Sequence, residues 1–174
     1  MPSGDRRHEG PQHVKSCDHL LLWPALSVLV LDQISKYLVQ VAIPVHGTIP
    51  ILDGFFDLVH VRNRGFAFGL MNRPTGSLFF AFLVAATVGA LVLLLYWFRR
   101  LRDGNWSVIL GISLILGGAV GNLIDRLRYR EVIDFLDFYI GTYHWPAFNL
   151  ADSAITVGTI GVALNMLFSP STRP

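Results

Sequence analysis

The stretch AFNLADSAITVGTIGVALNML, Ala147 to Leu167, decides how the rest of the chain is read. From Ser153 onward it is apolar enough to sit among lipid tails, yet it opens on Asn149 and Asp152. A helix of about 20 apolar residues crosses the roughly 30 Å hydrocarbon core at about 1.5 Å per residue. A carboxylate at the mouth of such a helix is costly unless it has a partner or a task. Whether it stands alone depends on what the neighbouring segments bring to the same level.

Three further segments share this character. The four run from about Leu20 to Ile43, Ser77 to Phe98, Trp106 to Ile124 and Leu150 to Phe168. Of the 174 residues, 52% are apolar and 15% charged, where a water-soluble domain would be about a quarter charged. The chain therefore reads as an all-α membrane protein, a bundle of four transmembrane helices. One domain covers residues 20–168, between a polar tail at 1–19 and a short tail at 169–174. The composition of the first tail, polar with Pro and Gly, predicts disorder. Arg6, Arg7 and Lys15 precede the first apolar run as in a signal peptide, but no A-x-A-like site follows and Asp32 and Lys36 interrupt it. That span is expected to be retained.

Several function classes drop out at once. A net charge of +2 without a basic, aromatic-interleaved stripe excludes nucleic acid as a partner. The single cysteine, Cys17, excludes an internal disulfide and a cysteine-rich metal site. His60 and His144 have no metal partners at ligand spacing, and no Ser–His, Ser–Lys or Cys–His arrangement is legible.

Small residues recur four apart: Ala81, Ala85 and Gly89; Gly117 and Gly121; Ala154 and Gly158. That spacing lets helices approach closely inside a membrane. Arg99, Arg100 and Arg102 crowd the short loop between spans two and three, which the positive-inside rule places in the cytoplasm together with both termini. Arg62, Arg64, Arg73, Arg126, Arg128 and Arg130 would then lie outside, so the density in the short loop carries the orientation. Two aromatic belts fit this topology: Trp23, Tyr96, Trp97 and Trp106 on one side, Tyr37, Tyr143 and Trp145 on the other. The two longer connections, Pro44 to Gly76 and Asp125 to Asn149, share the outer face. Asp53-Gly54 between β-rich runs is a two-residue hairpin signal, and Asn63 and Gly65 bracket a further turn in NRGFAFG. These features predict a small extracytoplasmic β element on the membrane surface. A short outer loop helix completes the expected architecture.

Polar groups collect at that end. Asp32 lies about twelve residues, roughly 18 Å, into the first span. Span three ends with Asn122, Asp125 and Arg126, span four begins with Asn149 and Asp152, and Asp134 lies in the loop EVIDFLDF between them. Each residue also fits a structural reading. Asp32 and Lys36, four apart, can neutralise each other. Asp125 beside Arg126 can cap or salt-bridge a helix end, and Asn149 followed by Asp152 has the spacing of an N-cap and its third helical residue. Asp134 and Asp137, three apart among apolar residues, can be the wet face of an amphipathic segment. Two acids held close in a poorly solvated site share one proton. The neutral acid then polarises a carbonyl while its charged partner draws a proton from water, the logic of aspartic proteases. A proton or ion path of a small transporter uses the same ingredients, and a lipid-packing or assembly subunit needs none of this chemistry. Spacing alone leaves the choice open, and does not say which two acids pair.

Five blocks in order carry a family resemblance: DQISK from Asp32, NRGFAFG from Asn63, GGAVGNLIDR from Gly117, VIDFLDF from Val132 and FNLADS from Phe148. Across four spans they resemble the lipoprotein signal peptidases, also called signal peptidase II; only about the first 19 residues are unmatched. The resemblance implies an aspartic endopeptidase of the bacterial inner membrane with no metal and no cofactor. It would remove the signal peptide from prolipoproteins just before a diacylglyceryl-modified cysteine. The family's catalytic pair maps onto Asp134 and Asp152, which lowers the rank of Asp125. Asn122, Arg126 and Asn149 would orient groups or stabilise developing charge. Asp32 and Lys36 would support the site from the first span, and Asn63 and Gly65 would shape the sheet that holds substrate. The expected partners are the lipidated precursor and membrane lipid, with the enzyme working as a monomer.

Overall fold

The computed structural model describes residues 13–65, 77–100 and 105–168, with the backbone alone for 13–21. The described chain runs α1 (His13–Ala42), β1 (Thr48–Leu52), β2 (Phe56–Asn63), α2 (Ser77–Arg100), α3 (Trp106–Tyr129), β3 (Val132–Ile140), β4 (Tyr143–His144) and α4 (Leu150–Phe168). All four helices are long and apolar enough to cross a membrane, over Leu22–Ala42, Ser77–Arg100, Trp106–Tyr129 and Leu150–Phe168. The expected spans recur within a few residues, except that two helices run further. α1 starts at His13, inside the expected tail, whose residues 1–12 lie outside the described ones. α3 continues beyond Ile124 to Tyr129, which puts Asn122, Asp125 and Arg126 inside its last turns rather than at its end. Arg126 and Arg128 suit a helix C-terminus electrostatically. Arg130 then stops the helix in a left-handed conformation, its N–H returning to the Arg126 carbonyl.

α3 is the hub, packed against the other three helices, and α1 also touches α4. Its apolar side carries Val108, Ile109, Ile112 and Leu116, closed by Val162 of α4. Two glycines set the approach distances. A Cβ on Gly117 would stand 2.5 Å from the Ala25 carbonyl oxygen of α1. One on Gly158 would stand 2.5 Å from the Gly111 carbonyl oxygen of α3. Dispersion over such short distances replaces the hydrophobic drive that lipid removes. The third small-residue stripe behaves differently. Ala81, Ala85 and Gly89 are exposed, and α2 has no buried residue among those described, because its apolar surface faces outward around the periphery. Of the expected belts, Trp23, Tyr96, Trp106, Tyr37, Tyr143 and Trp145 are exposed, whereas Trp97 packs against the α3 core.

The β element is larger than a hairpin: four antiparallel strands in the order β1-β2-β3-β4. The β1–β2 connection has three residues, Asp53 to Phe55, because Leu52 pairs with Phe56. Gly54 takes a φ of +79° there, at the third position of the turn that the Phe55 N–H closes onto the Leu52 carbonyl at 3.0 Å. The described loop residues contain no outer helix, and VIDFLDF, whose acids fit the wet face of an amphipathic segment, lies in strand β3 instead. Its β-branched and aromatic residues favour a pleated surface, and pairing with β2 overrides the three-residue spacing of its acids. Ile133 and Phe135 face Val39 and Ile43 of α1, which anchors the sheet to the bundle. Strand alternation turns Asp134 to the other face.

Candidate active site

Construction of the site begins at the first turn of α4. The Asn149 side-chain oxygen accepts the Asp152 N–H at 2.9 Å, so the N-cap spacing read from sequence is present. A second cap comes from another helix: Asp32 Oδ1 accepts the Ala151 N–H at 2.9 Å. Two otherwise unpaired donors of α4 are thus satisfied, one by an anion where the helix dipole favours it. Phe148 is zipped to β3, its carbonyl accepting N–H bonds from Phe135 and Leu136 and its own N–H reaching the Leu136 carbonyl. That pairing seats Asn149 beside Asp134.

Asp134 is buried, at 1% exposure. Its Oδ1 accepts from Asn149 Nδ2 at 2.7 Å and its Oδ2 from Asn63 Nδ2 at 3.0 Å. Burial pushes its carboxyl up from 3.8 to about 7, and repulsion from the Asp152 carboxylate adds to this; the two amide donors act against it. Asp152 is half-buried, and its Oδ1 accepts from Asn122 Nδ2 at 2.7 Å. Asn149 Nδ2 also reaches Asn122 Oδ1 at 3.2 Å. Two amides therefore join the carboxyl groups on β3 and α4. A cavity of about 660 Å³ opens beside them, lined by Asn63, Gly65, Arg126, Trp145, Phe148 and Asp152 among others. Its wall continues along α4 through Ser153, Thr156 and Val157. Gly65 donates its N–H to Asn63 Oδ1 at 2.8 Å, so the turn expected in NRGFAFG holds that amide in place; Phe66 to Gly69 lie outside the described residues.

Beneath this layer is a buried ionic cluster. Lys36 Nζ lies 2.9 Å from Asp32 Oδ2 and 2.8 Å from Asp125 Oδ2, and donates to Asn122 Oδ1 at 2.9 Å. The Asp32–Lys36 pair expected from sequence exists, but it is a triad. Asp125 bonds to Lys36, to Gln33 Nε2 at 3.0 Å and to the Ile133 N–H at 3.3 Å. It does not line the cavity, nor does it pair with its neighbour Arg126. All nine candidate residues thus fall in one connected region: Asp134, Asp152, Asn63, Asn122 and Asn149 in direct contact, Asp32 and Lys36 below, and Gly65 and Arg126 on the cavity wall. Gln33 belongs to the same cluster. It links Asp32, Asp125 and the Gly121 carbonyl, and only its place within DQISK hinted at it. His60, which has no metal partner at ligand spacing in the sequence, is buried and donates Nδ1–H to the Ile43 carbonyl at 2.8 Å.

The family model for signal peptidase (SPase) II matches residues 24–168. A lipoprotein signal peptidase of Nitratidesulfovibrio vulgaris (strain DP4) is 47% identical over 152 residues, covering 87% of this chain and 92% of the relative. One of Oleidesulfovibrio alaskensis is 49% identical over 140 residues, covering 80% and 89%. Among solved structures, one described as a "Bacterial membrane enzyme structure by the in meso method at 2.3 A resolution" superposes with a TM-score of 0.75 at 30% identity, covering 93% of each chain. With the blocks from Asp32 to Ser153 all inside the matched span, this chain belongs to the signal peptidase II family.

Proposed function

We propose that the protein is an aspartic endopeptidase that removes signal peptides from diacylglyceryl-modified prolipoproteins on the amino side of the lipidated cysteine. The observation that carries this reading is the unequal pair: Asp134 buried with both oxygens bonded to amides, Asp152 opening on the cavity. Two such carboxyl groups hold one proton between them, and the environment decides where it sits. Asp134 keeps it, since burial penalises its charged form.

The reaction then balances with these groups alone. Asp152 takes a proton from water as the water oxygen bonds to the scissile carbonyl carbon. Asp134 gives its proton to the carbonyl oxygen. Asp152 passes its proton to the leaving nitrogen as the C–N bond breaks, and the collapsing diol returns a proton to Asp134. Asn63 and Asn149 hold Asp134 at the right attitude, and the Arg126 guanidinium on the wall favours the developing negative charge. The wall of α4 residues suits a signal helix lying in lipid, so cleavage proceeds without extracting the substrate. In this reading the sheet faces the outer leaflet of the inner membrane, both termini are cytoplasmic, and one copy suffices.

Purified protein mixed with a diacylglyceryl-modified precursor should give a product shorter by one signal peptide on a gel. Asp134→Asn and Asp152→Asn should each abolish it while the protein still inserts. Retained turnover by either variant would refute the pairing. Uncut precursor with folded wild-type protein would favour a transporter or an assembly subunit.

A further inference from the structure

Three side-chain amides face the carboxyl pair, and an amide can present either end. Each of the three has its oxygen held by a group that can only donate. Asn63 Oδ1 receives the Gly65 N–H at 2.8 Å, and Asn149 Oδ1 receives the Asp152 N–H at 2.9 Å. Asn122 Oδ1 receives Lys36 Nζ at 2.9 Å and, more distantly, Asn149 Nδ2 at 3.2 Å. An ammonium has three donors and no acceptor, so it admits only the oxygen end of the amide. The NH2 end of Asn122 is then forced toward Asp152 Oδ1, 2.7 Å away. The first two amides are set by backbone, whereas the third is set chiefly by a side chain on a different helix, 1% exposed and outside the cavity lining.

We propose that Lys36 is a positioning residue that acts through Asn122, fixing which end of that amide meets Asp152 and so holding the carboxylate in its reactive orientation. This deepens the peptidase reading and rests on it. Asp32 and Asp125 in turn hold the ammonium, each within 2.9 Å. The ionic cluster is thus more than a clamp between α1 and α3, because its charge is converted into the polarity of a neutral group one residue further on. Without the ammonium, only the longer bond from Asn149 Nδ2 keeps the Asn122 oxygen turned away from Asp152, and the amide loses its fixed orientation.

The test is a double-mutant cycle on precursor cleavage, with kcat and KM measured separately and thermal unfolding followed alongside. Lys36→Met should lower kcat about 10- to 100-fold, the effect of one lost hydrogen bond to a charged group, at nearly unchanged KM. Asn122→Leu should lose at least as much. The double variant should be no slower than Asn122→Leu alone, because Lys36 has nothing left to orient. Lys36→Met also leaves two buried carboxylates opposed by no cation, so Lys36→Met/Asp125→Asn, which keeps the net charge of the cluster, takes its place in the cycle where the single variant fails to fold. Losses that multiply, or a folded Lys36 variant with wild-type kcat, would overturn the proposal. Should Asp152→Asn remain active, the peptidase reading itself fails; should it be dead while Lys36→Met is fully active, only the positioning role fails.

Discussion

Replacing Asp134 by asparagine exposes the proton held in the site through stability, independently of any substrate. The carboxyl ionises at an ordinary 3.8 when exposed and at about 7 in the folded protein. Between these values the folded state binds a proton that the unfolded chain has released. The stabilisation from that proton is full below about pH 3.8, declines as pH rises, and is gone above about 7. Each unit of difference is worth about 1.4 kcal/mol, so the loss between pH 5 and pH 8 is about 2–3 kcal/mol. For a chain of this size that corresponds to roughly 5–10 °C in Tm. The asparagine variant has no proton to lose there. It does lose one of the two amide bonds, because its own NH2 must face either Asn63 or Asn149, at a cost of about 1–3 kcal/mol that does not vary with pH. The diagnostic quantity is therefore the slope and not the level: the wild-type Tm should fall from pH 5 to pH 8 more steeply than that of Asp134→Asn. Titrating groups away from the pair are common to both proteins and cancel. Tryptophan-fluorescence unfolding in detergent micelles measures it, and parallel curves would refute the assignment of the proton to Asp134.

Asp125→Asn should reduce kcat far less than Asp152→Asn while lowering thermal stability, since the Asp125 carboxylate is taken up by Lys36, Gln33 and the Ile133 N–H; equal catalytic loss at normal abundance would reopen its role. Gly158→Val should destabilise the fold by about 1–3 kcal/mol through overpacking, because its Cβ would meet the Gly111 carbonyl oxygen at 2.5 Å. Unfolding curves report that cost, and an unchanged Tm would show that α3 and α4 can separate freely there.

The four helices were legible because lipid imposes length and apolarity on each of them separately, a local property of sequence. Relations between segments were less so. The stripe Ala81, Ala85, Gly89 has the same spacing as Gly117, Gly121, yet only the latter lies against another helix, since spacing records that a close approach is possible and not that a partner is there. Segment EVIDFLDF carries acids three apart and hydrophobics all round, which fits a helix turn as well as a strand. Its state is decided by β2, about 70 residues earlier in the chain, which supplies the partner edge. The collection of acids at one end followed from topology alone. Their ranking did not, because Asp125 and Asp134 differ by burial partners: Asp125 is neutralised by an ammonium contributed from α1, whereas Asp134 meets only amides.

The N-cap reading of Asn149 and the functional reading are one structure and not alternatives. The same amide closes the first turn of α4 with its oxygen and holds Asp134 with its nitrogen. Because the Asp152 N–H that it caps belongs to the second acid, the start of α4 cannot form without placing that residue one amide away from Asp134. Asp32 caps the neighbouring N–H from α1, so the helix also cannot begin at another position without abandoning two satisfied donors in a poorly hydrated region. Helix initiation thus sets the register of the pair. A carboxylate at the mouth of an apolar helix, costly when considered alone, is held there by the contacts that start the helix.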